Sequence, residues 1–372
     1  MAIDKRGRKL PKGIRQRGNT YEGRITYNRK TYTVHGETVT ETQKNMTDLK
    51  YKLVHGTFVE RSNLSLDEWF STWLDEYKKN RVKIGTYNSY LNYYASLIRR
   101  PLGGMCISSI RGDNVQKLYN DLTEAGYALS TIKIVSVLLN GCLQQATRNG
   151  MIERNPVKLV ELPRQTERKP RQALTKEQQA LFMEYAKKSY LYNFFAVMLR
   201  TGMRNGELRG LKFSDIDRSK NVIHVQRTLK YIDGSGYFED TPKTMSSRRD
   251  IPLTADTLRL ITKQRGYWGF GAERPNRYLF CTKQGEPLSR DRVQSEIDKI
   301  VKEIQKDGHP FERITPHVFR HTFATRAIEA GMQPQVLKTI LGHSSLSMTM
   351  DLYSHVMPET RAAEMEKIAS VF

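Results

Sequence analysis

A charged stretch with two prolines, at residues 162–171, is the feature that most limits how this chain can fold. A proline fixes φ and has no N–H to donate, so Pro163 and Pro170 interrupt helices and central strands alike. No apolar period runs through the stretch, as is typical of linkers. Because 372 residues also exceed the size of one ordinary core, we predict a basic linker at 161–172 between separate domains.

The charge of the chain indicates its class of partner. Lysine and arginine number 61 against 39 acidic residues, and the net charge is +22. A field this positive attracts polyanions and supplies phosphate contacts. It favours nucleic acid as the partner, and a basic protein that is merely solubilised, such as a ribosomal one, is the alternative.

The remaining bulk features predict a protein of a reducing cytoplasm with no membrane partner. No apolar run reaches the length that spans a bilayer. The basic N-terminus is not followed by the apolar stretch of a secretory signal. The three cysteines are widely spaced and odd in number, which argues against a disulfide framework.

Residues 1–60 are predicted to form a three-stranded sheet with one helix. Strand signals lie at 13–17, 20–27 and 30–35, and Asn28-Arg29 suits a hairpin turn. Thr40 and Gln43 have the spacing of a capping box, which predicts that a helix begins there. So small a unit has a thin core, and a poorly folded basic tail is the alternative.

Two basic regions are predicted to contact DNA. Strands can enter a DNA groove, so the sheet of residues 1–60 is a plausible DNA-binding face. The linker is basic and can lie along the duplex. The candidate contacts are Arg15, Arg17 and Arg24 on the strands, and Arg164, Arg168, Lys169 and Arg171 in the linker.

Residues 64–160 are predicted to be a helical domain. Trp69, Phe70, Trp73 and Tyr77 recur at three- and four-residue spacing, which is helical. This aromatic stripe suits a core better than a platform for base stacking. Apolar periods predict three further helices, the first of them broken at 101–104 by Pro-Leu-Gly-Gly.

Residues 173–372 are predicted to be a mixed α+β domain. Thr175 has the position of a helix cap, and strand-like stretches lie at 221–227 and 237–253. Helices dominate again after about Asp291. The predicted fold class is therefore multidomain and mainly α, with small β-sheets.

One cluster of this last domain has the composition of an anion pocket. Thr315-Pro316 predicts a helix start, which puts His317 and Arg320 on one face of the first turn, where unpaired N–H groups point outward. His317 and His321 also have the spacing of a helical zinc pair. We expect no metal, because Val318 stands where a metalloprotease has its glutamate and no third ligand is near.

Three more clusters are unremarkable one by one. Arg204 opens a predicted helix and Glu207 follows three residues later, which alone suggests a weak surface ion pair. Lys243 lies in a predicted turn between strands and would ordinarily be an exposed lysine. His343 and Tyr353 would singly be a buried histidine and a half-buried core tyrosine. Their combination with the anion pocket favours a shared site over these ordinary structural roles.

Together the clusters resemble the tyrosine recombinases, the family of phage and conjugative-transposon integrases. The motifs, in order, are Thr-Gly-Met-Arg204-Asn-Gly-Glu, Lys243 in Pro-Lys-Thr-x-x-Ser-x-Arg, His317-x-x-Arg320-His-Thr-Phe-Ala-Thr, Leu-Gly-His343, and Tyr353. The resemblance covers essentially the whole chain. It is most specific over 173–372, where Met203 stands in place of a more usual leucine. It implies a helical core-binding domain at 64–160 and an arm-binding domain at 1–60.

The resemblance also implies a mechanism without metal, nucleotide or other cofactor. Tyr353 would attack the scissile phosphodiester and join the 3′-phosphate, and a 5′-hydroxyl would leave. Arg204, Arg320 and His343 would stabilise the charged phosphate, His317 would accept the tyrosine proton, and Lys243 would protonate the leaving oxygen. Glu207 would hold Arg204, and His355 would steady the segment around Tyr353.

The resemblance has further implications for the assembly of the protein, its partners and its cellular location. Recombination joins two duplexes at attachment core and arm sites, so a homotetramer on double-stranded DNA is implied. An excision factor and a host DNA-bending protein are possible partners, and a mobile element of a bacterium, acting at the nucleoid, is the implied source. The alternatives are a type IB topoisomerase-like enzyme, a DNA-binding regulator without chemistry, and, more weakly, a metal-dependent nuclease.

Overall fold

The computed structural model describes residues 3–55, 63–164, 173–232, 236–240, 248–268 and 276–356, apart from the side chains of 265 and 354–356. The chain divides into two compact units, Met1–Arg168 and Lys169–Phe372. Among the described residues, no helix is both long and apolar enough to cross a membrane.

The first unit begins with the predicted sheet and helix. Three antiparallel strands pair in the order β1-β2-β3, and Asn28 and Arg29 form the hairpin turn with positive φ values of 47° and 63°. Helix α1 packs closely against one face of the sheet. A Cβ added to Gly23 on β2 would lie only 2.5 Å from Sδ of Met46 on α1. The strands are Ile14–Arg17, Thr20–Tyr27 and Lys30–Gly36, and α1 is Val39–Val54.

The predicted start of α1 was wrong by two residues. Thr38, not Thr40, is the N-cap, and its hydroxyl accepts a hydrogen bond from the Glu41 amide at 3.1 Å. The Glu41 carboxylate accepts in turn from the amide of Glu37. Glu41 therefore takes the place in the capping box that was predicted for Gln43. A carboxylate can accept a backbone hydrogen bond at the start of a helix as an amide oxygen can.

The rest of the first unit is helical around an aromatic core. Trp69, Phe70 and Trp73 are buried, and the Phe70 and Tyr94 rings stack at 3.7 Å. The third helix ends at Gly103, within the break predicted at 101–104, and Pro101 lies inside its final, π-helical turns. The helices are α2 Leu66–Thr72 continued by the π-helix Trp73–Lys78, α3 Ile84–Tyr93 continued by Tyr94–Gly103, α4 Gly112–Glu124, α5 Leu129–Arg148, and the 3₁₀ turn Pro156–Leu159.

The described residues of the second unit form two small antiparallel sheets, one of order β4-β5-β8 and one in which β6 pairs with β7. The strands are β4 Ile216–Asp217, β5 Val222–Val225, β6 Thr228–Ile232, β7 Gly236–Asp240 and β8 Arg249–Pro252. In the register of β5 and β8, Ile223 pairs with Ile251, and both are buried. This sheet therefore contributes one apolar face to the core of the unit.

Helices supply most of the second unit. Phe182, Phe194, Phe195 and Phe319 are fully buried at its centre and meet in edge-on and stacked pairs. Thr175 caps α6 through its side chain, and Thr315 stands at the N-cap position of α11, where the sequence predicted a helix start. The helices are α6 Lys176–Ala186, α7 Tyr192–Thr201, α8 Asn205–Arg209, α9 Ala255–Gly266, α10 Arg290–Lys306, α11 Pro316–Glu329, α12 Pro334–Leu341 and α13 Ser347–Val356, with a 3₁₀ turn at Phe213–Asp215.

Candidate active site

Three arginines from separate elements meet at the C-terminal end of α12. The last carbonyls of a helix have no partner within the helix and carry the negative end of its dipole, so they attract cations. Nε of Arg249 donates to the Ile340 carbonyl at 2.5 Å, Nη2 of Arg320 to the Leu341 carbonyl at 2.6 Å, and Nη2 of Arg204 to the Gly342 carbonyl at 3.0 Å. Three consecutive carbonyls thus each hold a different guanidinium, and we call these side chains the arginine cluster.

Arg204 is positioned by the short helix α8, for which it is the N-cap residue. Its amide donates to Oε2 of Glu207 at 2.9 Å, and its Nη1 donates to Oε1 of the same carboxylate at 2.7 Å. The Arg204 side chain is 33% exposed, whereas that of Glu207 is buried. The Arg204 side chain is therefore fixed at its base by Glu207 and is partly open to solvent.

Arg320 enters the cluster from the first turns of α11. It is buried, and its Nη1 donates to the Gly202 carbonyl at 2.7 Å. Burial, followed by the charge of Arg204, lowers the pKa of Arg320 to about 9. The side chain is still protonated at neutral pH, as arginine is in proteins generally.

Gly202 lets α7 end beside these elements. It has the left-handed φ of +62° that glycine adopts without strain. A Cβ there would lie 2.4 Å from a ring carbon of Phe323 and 2.9 Å from Cδ2 of Leu341. The Thr-Gly-Met-Arg motif needs its glycine because α11 and α12 both pack against this backbone.

Arg249 was not predicted as a site residue, although it ends the Pro-Lys-Thr-x-x-Ser-x-Arg motif. It and Glu207 are each 3% exposed. Nη2 of Arg249 donates to Oε2 of Glu207 at 2.8 Å, and Nη1 donates to Oε1 at 3.2 Å. Strand alternation could have found it, because Arg249 and the apolar Ile251 lie on the same face of β8.

Glu207 is the carboxylate that two of the three arginines share. Burial alone would raise its pKa, but hydrogen bonds and charge from Arg249, with the charge of Arg204, outweigh that effect. The pKa of Glu207 is lowered to about 2. The group therefore stays ionised at neutral pH and offsets part of the positive charge of the cluster.

His343 follows α12 directly and lies beside the arginine cluster. It is buried, and its Nδ1 lies 3.0 Å from Oγ1 of Thr349. Burial, then the charges of Arg320, Arg204 and Arg249, lower the pKa of His343 to about 4. The imidazole is therefore neutral at pH 7 and carries one N–H donor.

Tyr353 lies on α13, which packs against α11 and α12. Its ring contacts the small apolar cluster formed by Ala324, Ile328 and Leu337 with their neighbours. Its hydroxyl is buried and has no hydrogen-bond partner among the described residues. Burial raises the pKa of the phenol. Among the described residues, α13 connects Tyr353 to His343 only through Thr349, and the Tyr353 hydroxyl has no hydrogen bond to a basic group.

His317 is exposed at the first turn of α11, and its ring centroid lies 5.9 Å from that of His321. In the part of the chain that the structure describes, no three His, Cys, Asp or Glu side chains are grouped as a metal site would need.

A cleft of about 990 Å³ lies beside β5 and β8 and is lined by Arg227, Arg249, Lys338 and His343, among others.

Some predicted site residues lie outside the described residues. They are Lys243, the linker cations Arg168, Lys169 and Arg171, and the side chain of His355. The linker residue Arg164 is described, and it is exposed. The roles proposed for all of these remain predictions.

The N-terminal sheet carries the other predicted arginines on one face, together with Glu22. Arg15 Nη2 and Arg24 Nε each lie 2.8 Å from Oε1 of this carboxylate, and Arg17 Nη1 lies 3.7 Å from Oε2. Glu22 is buried beneath them, and Arg15, followed by Arg24, lowers its pKa to about 2. The three guanidiniums are thus gathered over one anion and remain exposed.

Comparison with known protein families gives two matches. Residues 172–360 match the phage integrase family, and residues 65–123 match the N-terminal SAM-like domain of phage integrases. The first match spans the described arginine cluster, His343 and Tyr353.

Curated relatives match along most of their length. A tyrosine recombinase XerC-like protein of Caldanaerobacter subterraneus subsp. tengcongensis is 27% identical over 361 residues, with 91% of each chain covered. The transposase from transposon Tn916 of Enterococcus faecalis is 26% identical over 342 residues, with 89% of this chain and 82% of the transposase covered.

Solved structures agree with the sequence comparisons. The Tn1549 transposon integrase in complex with transposon right-end DNA is 26% identical, with a TM-score of 0.72 over 82% of this chain and all of that one. A lambda integrase tetramer bound to a Holliday junction is 19% identical, with a TM-score of 0.58 over 93% of this chain and 95% of that one, and it indicates the fold alone.

Proposed function

The chain belongs to the phage integrase family, and on that premise we propose that it is a site-specific DNA recombinase that integrates and excises a mobile element. The observation that carries this proposal is the arginine cluster beside His343, on the elements that pack against the helix of Tyr353. The relatives named for recombination and transposition support the same reaction class.

The arginine cluster suits a phosphodiester in the transition state of transfer. Negative charge then grows on the non-bridging oxygens, and preorganised N–H donors stabilise it without further rearrangement. Arg204 and Arg320 each hold carbonyls with some of their N–H groups and have others left, since a guanidinium has five. A planar fork with several donors suits two phosphate oxygens better than the ammonium of lysine does.

His343 adds a neutral donor to this site. If its Nδ1 accepts the Thr349 hydroxyl proton, the ring proton is on Nε2, which can donate to a phosphate oxygen. The low pKa of His343 suits this role, because a neutral ring adds no further positive charge to a crowded site.

Bond making and breaking are assigned to Tyr353 and two partners. The Tyr353 oxygen attacks phosphorus, its proton passes to His317, and a 3′-phosphotyrosine forms as the bond to the 5′ oxygen breaks. Lys243 gives its proton to that oxygen. Attack by the 5′-hydroxyl of another strand reverses the step, so the phosphotyrosine conserves the bond energy and no ATP is consumed. Because the Tyr353 hydroxyl is buried here, α13 has to shift before it can attack.

The proposed assembly has four protomers on two duplexes. Each strand exchange opens one strand of each duplex, and two exchanges through a Holliday junction complete recombination. Residues 64–160 and 173–372 would bind the core site, joined by the linker at 161–172, and residues 1–60 would bind arm sites. An excision factor and a host DNA-bending protein are proposed to set the direction, and the bacterial nucleoid is the proposed place of action.

Two other functions use the same features differently. A type IB topoisomerase-like enzyme would form the same adduct but reseal the same strand, and the small basic domain at 1–60 favours recombination. A DNA-binding regulator would have no use for a nucleophile or for buried donors facing a phosphate. Joining of two differently labelled duplexes separates the recombinase from the topoisomerase.

The decisive experiment traps the covalent intermediate. A nicked duplex that carries the attachment site of the element, incubated in EDTA, should yield a protein–DNA adduct at Tyr353 on a denaturing gel. Tyr353→Phe removes only the hydroxyl and should abolish the adduct while DNA binding is kept. Tight binding without an adduct in the wild type would favour the regulator, and dependence on a divalent metal would favour a nuclease.

A further inference from the structure

We propose that Arg249 is a positioning residue for Arg204, which it holds in place through the carboxylate of Glu207 and the end of α12. This inference rests on the proposed function, because its effect is measured on phosphate cleavage. Arg249 is placed by β8, which begins just after the segment that contains Lys243.

The contacts of Arg249 point inward. Its Nε is bound to the Ile340 carbonyl, and both Nη atoms are bound to Glu207 at 3.2 and 2.8 Å. The side chain is 3% exposed. Each of its three nitrogens thus has a partner in the protein, so Arg249 is arranged to hold the cluster rather than to bind the phosphate itself.

Glu207 connects Arg249 to Arg204. Each of its oxygens accepts from both residues: Oε1 from Nη1 of each side chain, and Oε2 from Arg249 Nη2 and the Arg204 amide. A buried carboxylate keeps its charge only with enough donors. Without Arg249, Glu207 would draw the Arg204 guanidinium further inward, away from the phosphate.

The end of α12 gives a second connection. Arg249, Arg320 and Arg204 bind consecutive carbonyls there, so the same turn of backbone spaces all three side chains. Loss of the bond to Ile340 would loosen the turn that also leads into His343. Both effects reduce how well the donors of Arg204 and Arg320 are aimed before DNA binds.

The first test compares Arg249→Met and Arg249→Lys with a matched control. Arg326→Met removes another partly buried arginine of the same unit, which pairs with Glu329 and the Leu174 carbonyl instead. The single-turnover rate of cleavage of the nicked attachment-site duplex should fall roughly 100-fold in Arg249→Met, near the lower end for loss of a direct donor. The rate should fall less in Arg249→Lys, and by no more than about threefold in Arg326→Met. DNA affinity should change little in all three.

The second test asks which residue Arg249 acts through. Arg204→Lys already lacks the forked contact with Glu207. In this background, Arg249→Met should lower the cleavage rate by no more than about threefold further, because the effects of substitutions within one network are not additive. A full 100-fold further loss would overturn the proposal. Arg249→Lys keeps the charge, so the same cycle can be measured with it if Arg249→Met fails to fold.

Modified DNA gives a chemical readout that a general loss of structure would not alter. A methylphosphonate at the cleaved position lacks one charged oxygen and depends less on Arg204, so the Arg249→Met defect should shrink on it. A 5′-bridging phosphorothiolate has a leaving sulfur that needs no proton. If that substrate alone restored the rate, Arg249 would act through the segment of Lys243, and the proposal would be wrong. A wild-type protein that forms no Tyr353 adduct would instead refute the proposed function.

Discussion

Nδ1 of His343 lies 3.0 Å from Oγ1 of Thr349, and this contact joins the end of α12 to the helix that carries Tyr353. Thr349 is fully buried and precedes Tyr353 by four residues, so the two lie on the same side of α13. The contact ties a proposed phosphate donor to the proposed nucleophile. Thr349 was not singled out in the sequence, because a threonine in a polar helical segment has nothing unusual about it.

Thr349→Val should therefore slow cleavage without preventing DNA binding. Valine has nearly the same shape but no hydroxyl, so Nδ1 of His343 loses its partner and the ring proton is no longer directed to Nε2. One such hydrogen bond is worth about 1 kcal/mol, which predicts a loss of roughly 5- to 10-fold in the single-turnover rate. Thr349→Ser keeps the hydroxyl and should retain most of the rate. Equal losses in both variants would mean that only packing matters at this position.

The stability of the second unit should depend on pH through His343. Its pKa is about 4 in the folded protein and about 6.5 when unfolded. Between these values the unfolded chain binds the extra proton, so stability is complete above about pH 6.5 and falls as the pH drops towards 4. The free energy of unfolding, measured by urea titration between pH 4 and 7, should fall less steeply in His343→Gln. Identical slopes in the two proteins would contradict the low pKa.

Gly202→Ala should destabilise the second unit and disable cleavage. The residue has a φ of +62°, which costs other residues about 1–2 kcal/mol, and its Cβ would strike Phe323 and Leu341. We expect a total loss of at least about 2 kcal/mol in the free energy of unfolding. Gly331→Ala is the control, since it has a φ of +78° with nothing within 4 Å and should show the backbone cost alone. A loss no larger than in the control would mean that α11 and α12 adapt to the methyl group.

Arg17→Ala should weaken DNA binding by the N-terminal sheet in a manner that depends on salt. Arg17 is 74% exposed and has the longest of the three contacts with Glu22, so its removal leaves the Arg15 and Arg24 pairs intact. One lost phosphate contact should reduce the slope of log affinity against log salt by about 0.9. Lys50→Ala, an exposed change on the helix that covers the opposite face, should leave the slope unaltered. A slope unchanged by Arg17→Ala would place DNA elsewhere.

Local patterns predicted most elements, but they could not show which side chains share partners. The hairpin at Asn28, the cap at Thr175 and the helix start at Thr315 were confirmed, because turns and helix starts depend on neighbours in sequence. The fold class and the family were confirmed as well. The predicted helix end at 101–104 was confirmed too, although Pro101 itself lies inside the π-helical turns that precede Gly103.

The site was predicted as residue types rather than as a network. Glu207 was expected to hold Arg204, and the geometry agrees, but the sequence pattern suggested a surface pair and the carboxylate is buried. Arg249 contacts Glu207 and Ile340, which are 42 and 91 residues away, and Thr349 contacts His343 across the turn between α12 and α13. Only the folded chain brings such pairs together, so spacing along the sequence gives no sign of them.

Because main-chain carbonyls at the end of α12 hold the arginine cluster, the effect of a mutation there should differ between the arginines and the residues that supply the carbonyls. Backbone oxygens are present whatever the side chains of residues 340–342 are, so no single substitution deletes these acceptors. A substitution can only shift these carbonyls. A substitution at Gly342 is the most able to do so, because its φ of 63° favours glycine. Genetic variation should therefore be harmful at the three arginines and at Gly342, and tolerated at Ile340 wherever an apolar side chain of similar size replaces it.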